Sequence, residues 1–261
     1  MPYEAVMLDK AGGVATITLN QPQSLNALSS PIRRDLAAAL AEVRDDAEVR
    51  AVIITGAGRA FCAGGDVKGM AGGRTPIEWR EWLLFTDRSI IQVMLDMEKP
   101  IVAAVNGYAV GAGCNVALAS DIIIAADNAR FAEIFVRIGL APDGGGAWTL
   151  PRRVGLAKAK ELAFTGEIID AAEAYRIGMV NRVVPADKLM DEARAFAQRL
   201  ANGPTRAIGL CKRMLTRCVD LDFAAAMEYE AQTQAMLFQT EDHKEGVKAF
   251  MEKREPQFKG R

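Results

Sequence analysis

Apolar and polar residues alternate with period two from Val14 to Leu19, which predicts a strand with one buried face, and the turn-rich stretch 20–24 ends it. Ser30 stands directly before Pro31, a pairing suited to an N-cap and a first helical position. A helical apolar stripe follows over residues 32–43. Residues 51–55, 101–105 and 121–125 read as short buried strands, the first two running into Gly56 and into Asn106-Gly107. Helical patterns lie between and after them, at about 77–96 and 112–120. The expected core is therefore α/β, built from repeated strand-turn-helix units. From Asp187 onward the pattern is helical almost throughout, at about 188–200, 205–218, 222–240 and 242–252. Gly203-Pro204 marks the boundary between a core of residues 1–202 and a C-terminal helical region of residues 203–261. No long linker isolates the two, so they are expected to fold as one unit.

Composition narrows the chemistry. Half of the 261 residues are hydrophobic and a quarter charged, enough for a full core without staples. The 32 basic and 33 acidic residues leave a net charge of −1, so no global field gathers nucleic acid or an anionic membrane. Cys62, Cys114, Cys211 and Cys218 form no C-x-x-C pair and no metal-ligand spacing, and no signal peptide is evident, which predicts a reducing cytoplasm and no bound metal. Apolar runs fall far short of the roughly 20 residues that span a bilayer, so no membrane partner is expected. The single histidine, His243, lies in a polar helical stretch, a poor base for a Ser-His-Asp triad.

Two segments carry the chemistry. In Arg59-Ala-Phe-Cys-Ala-Gly-Gly-Asp-Val-Lys68 small residues permit close backbone approach to a ligand, and the amide of Gly65 is a candidate donor. In Asn106-Gly-Tyr-Ala-Val-Gly-Ala-Gly-Cys-Asn115 a strand again enters a glycine-rich turn before a helix, and the amide of Ala112 is a second donor. Paired preorganised amides, one at a helix start, suit a carbonyl oxygen that gains negative charge. Neither segment is a dinucleotide or phosphate-loop motif.

These residues resemble the crotonase superfamily, the enoyl-CoA hydratase/isomerase family, nearly end to end. The likeness runs through Leu25-Asn-Ala-Leu28, Ala60-Phe-Cys-Ala-Gly-Gly-Asp-Val-Lys68, Lys99-Pro-Ile-Val-Ala-Ala-Val-Asn-Gly107 and Ser120-Asp-Ile-Ile-Ile-Ala125. It continues in Leu150-Pro-Arg-Arg-Val-Gly155, in 171–184 and in Phe250-Met-Glu-Lys-Arg254. The resemblance implies a spiral of ββα turns, a C-terminal helical region for trimerisation, and homotrimers or dimers of trimers. It implies that Gly65 and Ala112 form the oxyanion hole and that coenzyme A, part of the substrate and not a separate cofactor, threads near Leu25, Ala27, Ala63 and Lys68. Phe258 and Lys259 would reach its adenine or phosphate end from a neighbouring subunit.

Hydratases of this family place two glutamates beside the substrate, and here those positions hold Asn115 and Phe135. An amide does not take up a proton at neutral pH and a phenyl ring does not at any pH. Two residues away, Glu133 is a substitute only if its side chain reaches the site; otherwise it is a helix cap or a surface pair. Asp143, in Pro142-Asp-Gly-Gly145, corresponds to the aspartate that isomerase branches use. With Asn115 and Phe135 it most resembles the ring-1,2-epoxyphenylacetyl-CoA isomerase branch. Phe131, Phe135, Leu140 and Trp148 are candidates for an apolar wall around Asp143, or for core packing. Trp79, Trp82, Phe85, Met94 and Met97 are expected to form an apolar face over the acyl channel, and Cys114 to be a small buried residue. The expectation is an acyl-CoA isomerase with Asp143 as acid and base. The alternatives are a hydratase or hydrolase with another carboxylate, and a silent acyl-CoA-binding subunit.

Overall fold

The computed structural model describes residues 3–67 and 73–261. The chain opens with an antiparallel hairpin of β1 (Val6–Ala11) and β2 (Val14–Leu19). Gly12 and Gly13 turn between them with φ of 58° and 80°, the left-handed pair a two-residue hairpin turn requires. β1 is not legible in the sequence, because only Val6 along it is buried and the strand lies at the sheet edge. Helix α1 (Ser30–Asp45) follows, capped by Ser29 and not by Ser30: the Ser29 hydroxyl accepts from the Ile32 amide.

Three strand pairs then repeat one plan. β3 (Ala51–Gly56) leads into β4 (Ala60–Cys62), and a long helical segment follows. That segment is α2 (Pro76–Thr86), a π turn at Asp87–Ile91, and α3 (Gln92–Asp96). β5 (Ile101–Val105) leads into β6 (Tyr108–Val110) and α4 (Ala112–Leu118). β7 (Ile122–Ala126) leads into β8 (Arg130–Ala132), a 3-10 turn at Ile134–Ile138 and α5 (Gly146–Val154). After α6 (Leu156–Thr165), β9 (Ile169–Asp170), α7 (Ala171–Arg176) and β10 (Arg182–Val184), the chain ends in α8 (Leu189–Ala201), α9 (Thr205–Cys218), α10 (Phe223–Leu237) and α11 (Glu241–Glu252).

The long strands form one sheet in the order β1-β2-β3-β5-β7-β10, parallel apart from the hairpin. The short ones form a second, β4-β6-β8-β9, parallel apart from β9. Each turn of the spiral thus contributes one strand to each sheet and then a helical segment. Strand alternation divides the apolar residues between two cores. Val52, Ile54, Ile101, Ala103 and Val105 face the interior of the spiral with Leu36 and Leu40 of α1. Ala51, Ile53, Val102 and Ala104 face outward onto Leu189, Ala193, Ala197 and Ala201 of α8. The C-terminal helices are anchored by a buried cation: Lys212 of α9 donates to the Met94 carbonyl at 2.6 Å and meets Asp121 at 2.9 Å, while Asp121 accepts from the Ile101 amide at 2.7 Å.

The two glycine-rich segments come together where β4 and β6 end. A β-carbon on Gly113 would sit 2.2 Å from the Cys62 carbonyl oxygen, and one on Gly64, whose φ is 95°, would sit 2.7 Å from the Val110 carbonyl oxygen. Only glycine lets α4 approach β4 this closely. Gly113→Ala is therefore expected to destabilise the protein by about 1–3 kcal/mol through overpacking, read as a lower urea midpoint. An unchanged midpoint would mean that the contact is slack.

Candidate active site

The convergence of these segments walls one side of a cavity enclosing about 770 Å³, its open mouth included. Gly64, Gly65, Gly111 and Ala112 line that side; Trp82, Leu83, Thr86 and Asp87, from α2 and the π turn, form a second. The 3-10 turn brings Phe135, Ile138 and Arg137, and the following loop brings Leu140, Asp143 and Gly144. Among the described residues, no backbone carbonyl takes the amide of Gly65 or of Ala112. Ala112 is the first residue of α4, whose amide has no intrahelical acceptor by construction. Two unclaimed donors therefore border one space, as an oxyanion hole needs.

Asp143 enters the same cavity. It is mostly buried, and its Oδ1 has no hydrogen-bond partner among the described residues. Burial, reinforced by the neighbouring Asp87 carboxylate and opposed by the Arg33 guanidinium, pushes its carboxyl up to about 6. Such a group is an effective base near neutrality and a competent acid once it holds the proton. Asn115, fully buried on α4, donates to the Asp143 backbone carbonyl at 2.7 Å and so holds this loop against α4. The loop fits closely over it, since a β-carbon on Gly146 would lie 2.4 Å from Asn115 Nδ2.

The expected apolar wall is half realised. Phe135 and Leu140 line the cavity, whereas Phe131 belongs to the interior core and Trp148 stacks under Arg152 at 3.9 Å, outside the lining. Of the apolar face assigned to residues 79–97, Trp82 lines the cavity while Met94 and Met97 are core residues. Glu133 is neither a cap nor a surface pair. It precedes the 3-10 turn without a capping bond, is 1% exposed, and has both oxygens unpartnered among the described residues. Burial pushes its carboxyl up to about 8, with Asp143 adding to the rise; the Cys114 thiol and the Asn115 amide stand near enough to oppose that rise without reaching hydrogen-bond geometry. Cys114 is fully buried, as expected. Glu133 does not line the cavity; Asn115, which it faces, stands behind the Asp143 loop.

Near the expected coenzyme site, the Leu25 carbonyl accepts from the Ala63 amide at 3.0 Å and the Leu28 amide donates to the Gly64 carbonyl at 2.7 Å. Ala63 and Leu28 line the cavity; Leu25 and Ala27 flank it without lining it. Leu25 and Asn26 have φ of 54° and 56°. Asn26 locks that conformation, accepting from the Gln21 amide and donating to the carbonyls of Ala57 and Ala60. Lys68 lies outside the described residues. Phe258 and Lys259 do not approach the cavity of their own chain: Phe258 lies beside Gly246 of α11, and the Lys259 amide donates to Asp242 at 2.6 Å. His243, also on α11, stacks edge-on against Phe238 far from this site.

Over residues 9–261 the chain matches the family described as enoyl-CoA hydratase/isomerase. The chain belongs to the enoyl-CoA hydratase/isomerase family. Among curated relatives, it is 40% identical over 255 residues to the short-chain-enoyl-CoA hydratase of Clostridium acetobutylicum, covering 97% of each chain. It is 38% identical over 252 residues to the 1,2-epoxyphenylacetyl-CoA isomerase of Escherichia coli, over 95% of this chain and 96% of that one. The solved enoyl-CoA hydratase of Bacillus anthracis superposes with a TM-score of 0.93 at 34% identity, over 99% of this chain and 100% of that one. The spiral described above is thus the crotonase fold of the enoyl-CoA hydratase/isomerase family. Hydratase names outnumber isomerase names among such relatives.

Two polar side chains in this family member's cavity are not evident from sequence. Arg33 is 4% exposed, donates to the Trp82 carbonyl and stacks 3.7 Å from the Trp82 ring centroid. Burial lowers its guanidinium to about 10 despite Asp143 and Asp87 nearby. Asp87 is raised, chiefly by burial. A buried arginine beside the apolar stripe of α1 and a π turn in α2–α3 leave no signature in residue spacing. The one available signal is that Arg33 directly follows a stripe residue, Ile32.

Glu133 yields a stability prediction. Its folded carboxyl titrates near 8 and its unfolded one near 4.5, so the folded state binds the proton more tightly. Native stability therefore falls as pH rises from about 4.5 through 8, and the penalty is complete above that. Glu133→Gln removes it. The melting temperature of Glu133→Gln relative to wild type is expected to climb between pH 5 and pH 8. A pH-independent difference would show that the carboxyl does not titrate this way.

Proposed function

We propose that the protein is an acyl-CoA isomerase that moves a carbon–carbon double bond, or rearranges a ring epoxide, next to a coenzyme A thioester. The observation that carries this reading is the largely buried Asp143 carboxyl, whose Oδ1 has no hydrogen-bond partner among the described residues, in the same cavity as the amides of Gly65 and Ala112, which no described backbone carbonyl takes. For a 3-enoyl thioester, Asp143 takes the proton from C2 and the bonding pair moves into the thioester carbonyl. The amides of Gly65 and Ala112 stabilise the resulting dienolate oxygen. Asp143, now protonated, returns the proton to C4 as the double bond settles between C2 and C3. One carboxyl serves as base and then acid, and no water is consumed. Phe135 and Leu140 keep the path of the proton apolar, and Asn115 fixes the Asp143 loop through its backbone.

Hydration by Glu133 is the second reading, favoured by its burial, its unpartnered oxygens and the hydratase names of relatives. It requires a water to reach a carboxyl that the cavity does not expose. Residues 203–261 supply exposed apolar side chains for the trimer contacts the family likeness implies, among them Phe223, Phe250 and Met251. In that assembly Phe258 and Lys259 would serve a neighbour's coenzyme A.

Isomerisation of 3-enoyl-CoA by Asp143→Asn is expected to fall by about 10²–10⁴-fold, with the substrate Kd little changed. In the wild type, kcat/KM is expected to rise with pH and level off above about 6, as the Asp143 carboxyl ionises. Full isomerase activity in Asp143→Asn would end the proposal. Robust hydration that survives this substitution and disappears in Glu133→Gln would establish the second reading. Light scattering should give the mass of three or six chains, and a monomer would remove the role assigned to Phe258 and Lys259.

A further inference from the structure

Glu133 takes no part in the proton transfer assigned to Asp143, yet it is buried beside the residue that holds the Asp143 loop. Asn115 is satisfied at one end only: its Nδ2 donates to the Asp143 carbonyl at 2.7 Å, while its Oδ1 is shut off from water with no donor among the described residues. Both oxygens of Glu133 are in the same state, and the carboxyl stands near the Asn115 side chain. Gly146 packs on the face of that amide, since a β-carbon there would lie 2.4, 2.5 and 2.6 Å from Nδ2, Oδ1 and Cγ. Face-on packing leaves the amide one freedom, the exchange of its nitrogen and oxygen ends by rotation about the Cβ–Cγ bond. The groups at those two ends then decide which orientation holds. As a carboxylate, Glu133 adds two acceptors to a place already short of donors; as a carboxylic acid it supplies the donor that Oδ1 lacks. The titratable groups acting on Glu133 are Cys114 of α4, whose thiol burial keeps protonated, and Asp143, whose charge disfavours a second one behind it. Among the described residues Glu133 has no counter-ion: Arg153 of α5, the cation near Cys114, donates to the carbonyls of Leu118 and Ser120.

We propose that Glu133 is a positioning residue: as a neutral acid its O–H donates a hydrogen bond to Asn115 Oδ1, which keeps Nδ2 on the Asp143 carbonyl and so holds the acid/base loop in place. Ionised Glu133 favours the reverse orientation, in which Nδ2 turns to the carboxylate, Oδ1 meets the Asp143 carbonyl and the loop is released. Burial raises the Glu133 carboxyl to about 8, so this clasp is closed at neutral pH and opens above about 8. On the isomerase reading, on which this rests, the consequence is an alkaline limit: the plateau that Asp143 sets above about 6 ends near 8.

The test compares wild type with Glu133→Gln, whose amide keeps a donor for Oδ1 but does not titrate, and with Glu133→Met, which has no donor. In wild type, kcat on 3-enoyl-CoA is expected to fall by about tenfold between pH 8 and pH 9 and beyond, with KM little changed. That fall is expected to disappear in Glu133→Gln, whose kcat at pH 7 should exceed that of Glu133→Met by about tenfold. An alkaline fall that persists in Glu133→Gln overturns the proposal, and so does equal activity of the two variants at pH 7. Hydrogen–deuterium exchange of residues 139–146 reads the clasp without substrate, with residues 101–105 of β5 as the control for general loosening. The loop's exchange rate in wild type relative to Glu133→Gln, at matched pH, is expected near unity at pH 7 and severalfold higher at pH 9. Should no 3-enoyl thioester be isomerised, that rise upholds the Glu133–Asn115 assignment while the isomerase reading fails. A ratio that stays constant, or a rise shared by residues 101–105, ends the assignment.

Discussion

The site depends on a backbone contact that leaves no room for a side chain. Where β4 and β6 end, Gly64 and Gly113 let the second glycine-rich segment press against the first, with carbonyl oxygens where β-carbons would otherwise stand. Parallel pairing of the two short strands brings the segments to the same end of the sheet. The missing side chains close the remaining gap. Once that approach is fixed, the amides of Gly65 and Ala112 border one cavity, α4 presents Asn115 to the next loop, and Asn115 holds the Asp143 carbonyl. The Ala112 amide and the Asp143 loop are thus positioned by the same short helix, the first as its opening residue and the second through the Asn115 side chain.

Around this frame the protein keeps several ionisable groups out of water. Arg33, Asp87, Asp143 and Glu133 all have buried polar atoms without partners. Such groups cost stability in proportion to their isolation. Together with Asn115 they gather around one cavity, while Arg213 and Thr233, in the C-terminal helices, are the other described residues in this state, so the cavity is where the fold gives up most stability of this kind. The carboxyl at the cavity and the carboxyl behind it are raised to different extents, about 6 and about 8. One is then mostly ionised and the other mostly neutral at physiological pH, so two acids in adjacent loops do not compete as like charges.

Much of this was legible in the sequence, and the remainder was not for identifiable reasons. Long strands such as Ala51–Gly56 and Ile101–Val105 announce themselves because both faces are buried, and α9 because its ends are marked by Pro204 and its apolar stripe. The three-residue strands of the second sheet are too short for any period to register, and β1 lies at an edge with little to bury. Asp143 and the donor amides were read from motif and family likeness together. Arg33 and Asp87 were not, because a charged residue in a helix is exposed by default and only packing reveals otherwise. Glu133 was weighed as a cap or surface pair when it is neither; its burial follows from Cys114 and Asn115 closing over it, contacts made across the fold.

The π turn at Asp87–Ile91 has a consequence for how the acyl cavity can change over evolutionary time. The amide of Gln92 bonds to the carbonyl of Asp87, five residues back, so this stretch holds one residue more than an α-helix of the same rise. Loss of a single codon here would let the helix run on in ordinary register, with the turns on either side of the bulge keeping their faces. Trp82 and the amides of Gly65 and Ala112 would keep their places, and only the bulge that carries Asp87 would be remade. A one-residue deletion is therefore a direct genetic route by which this part of the cavity wall can be rebuilt, with the spiral core left in place.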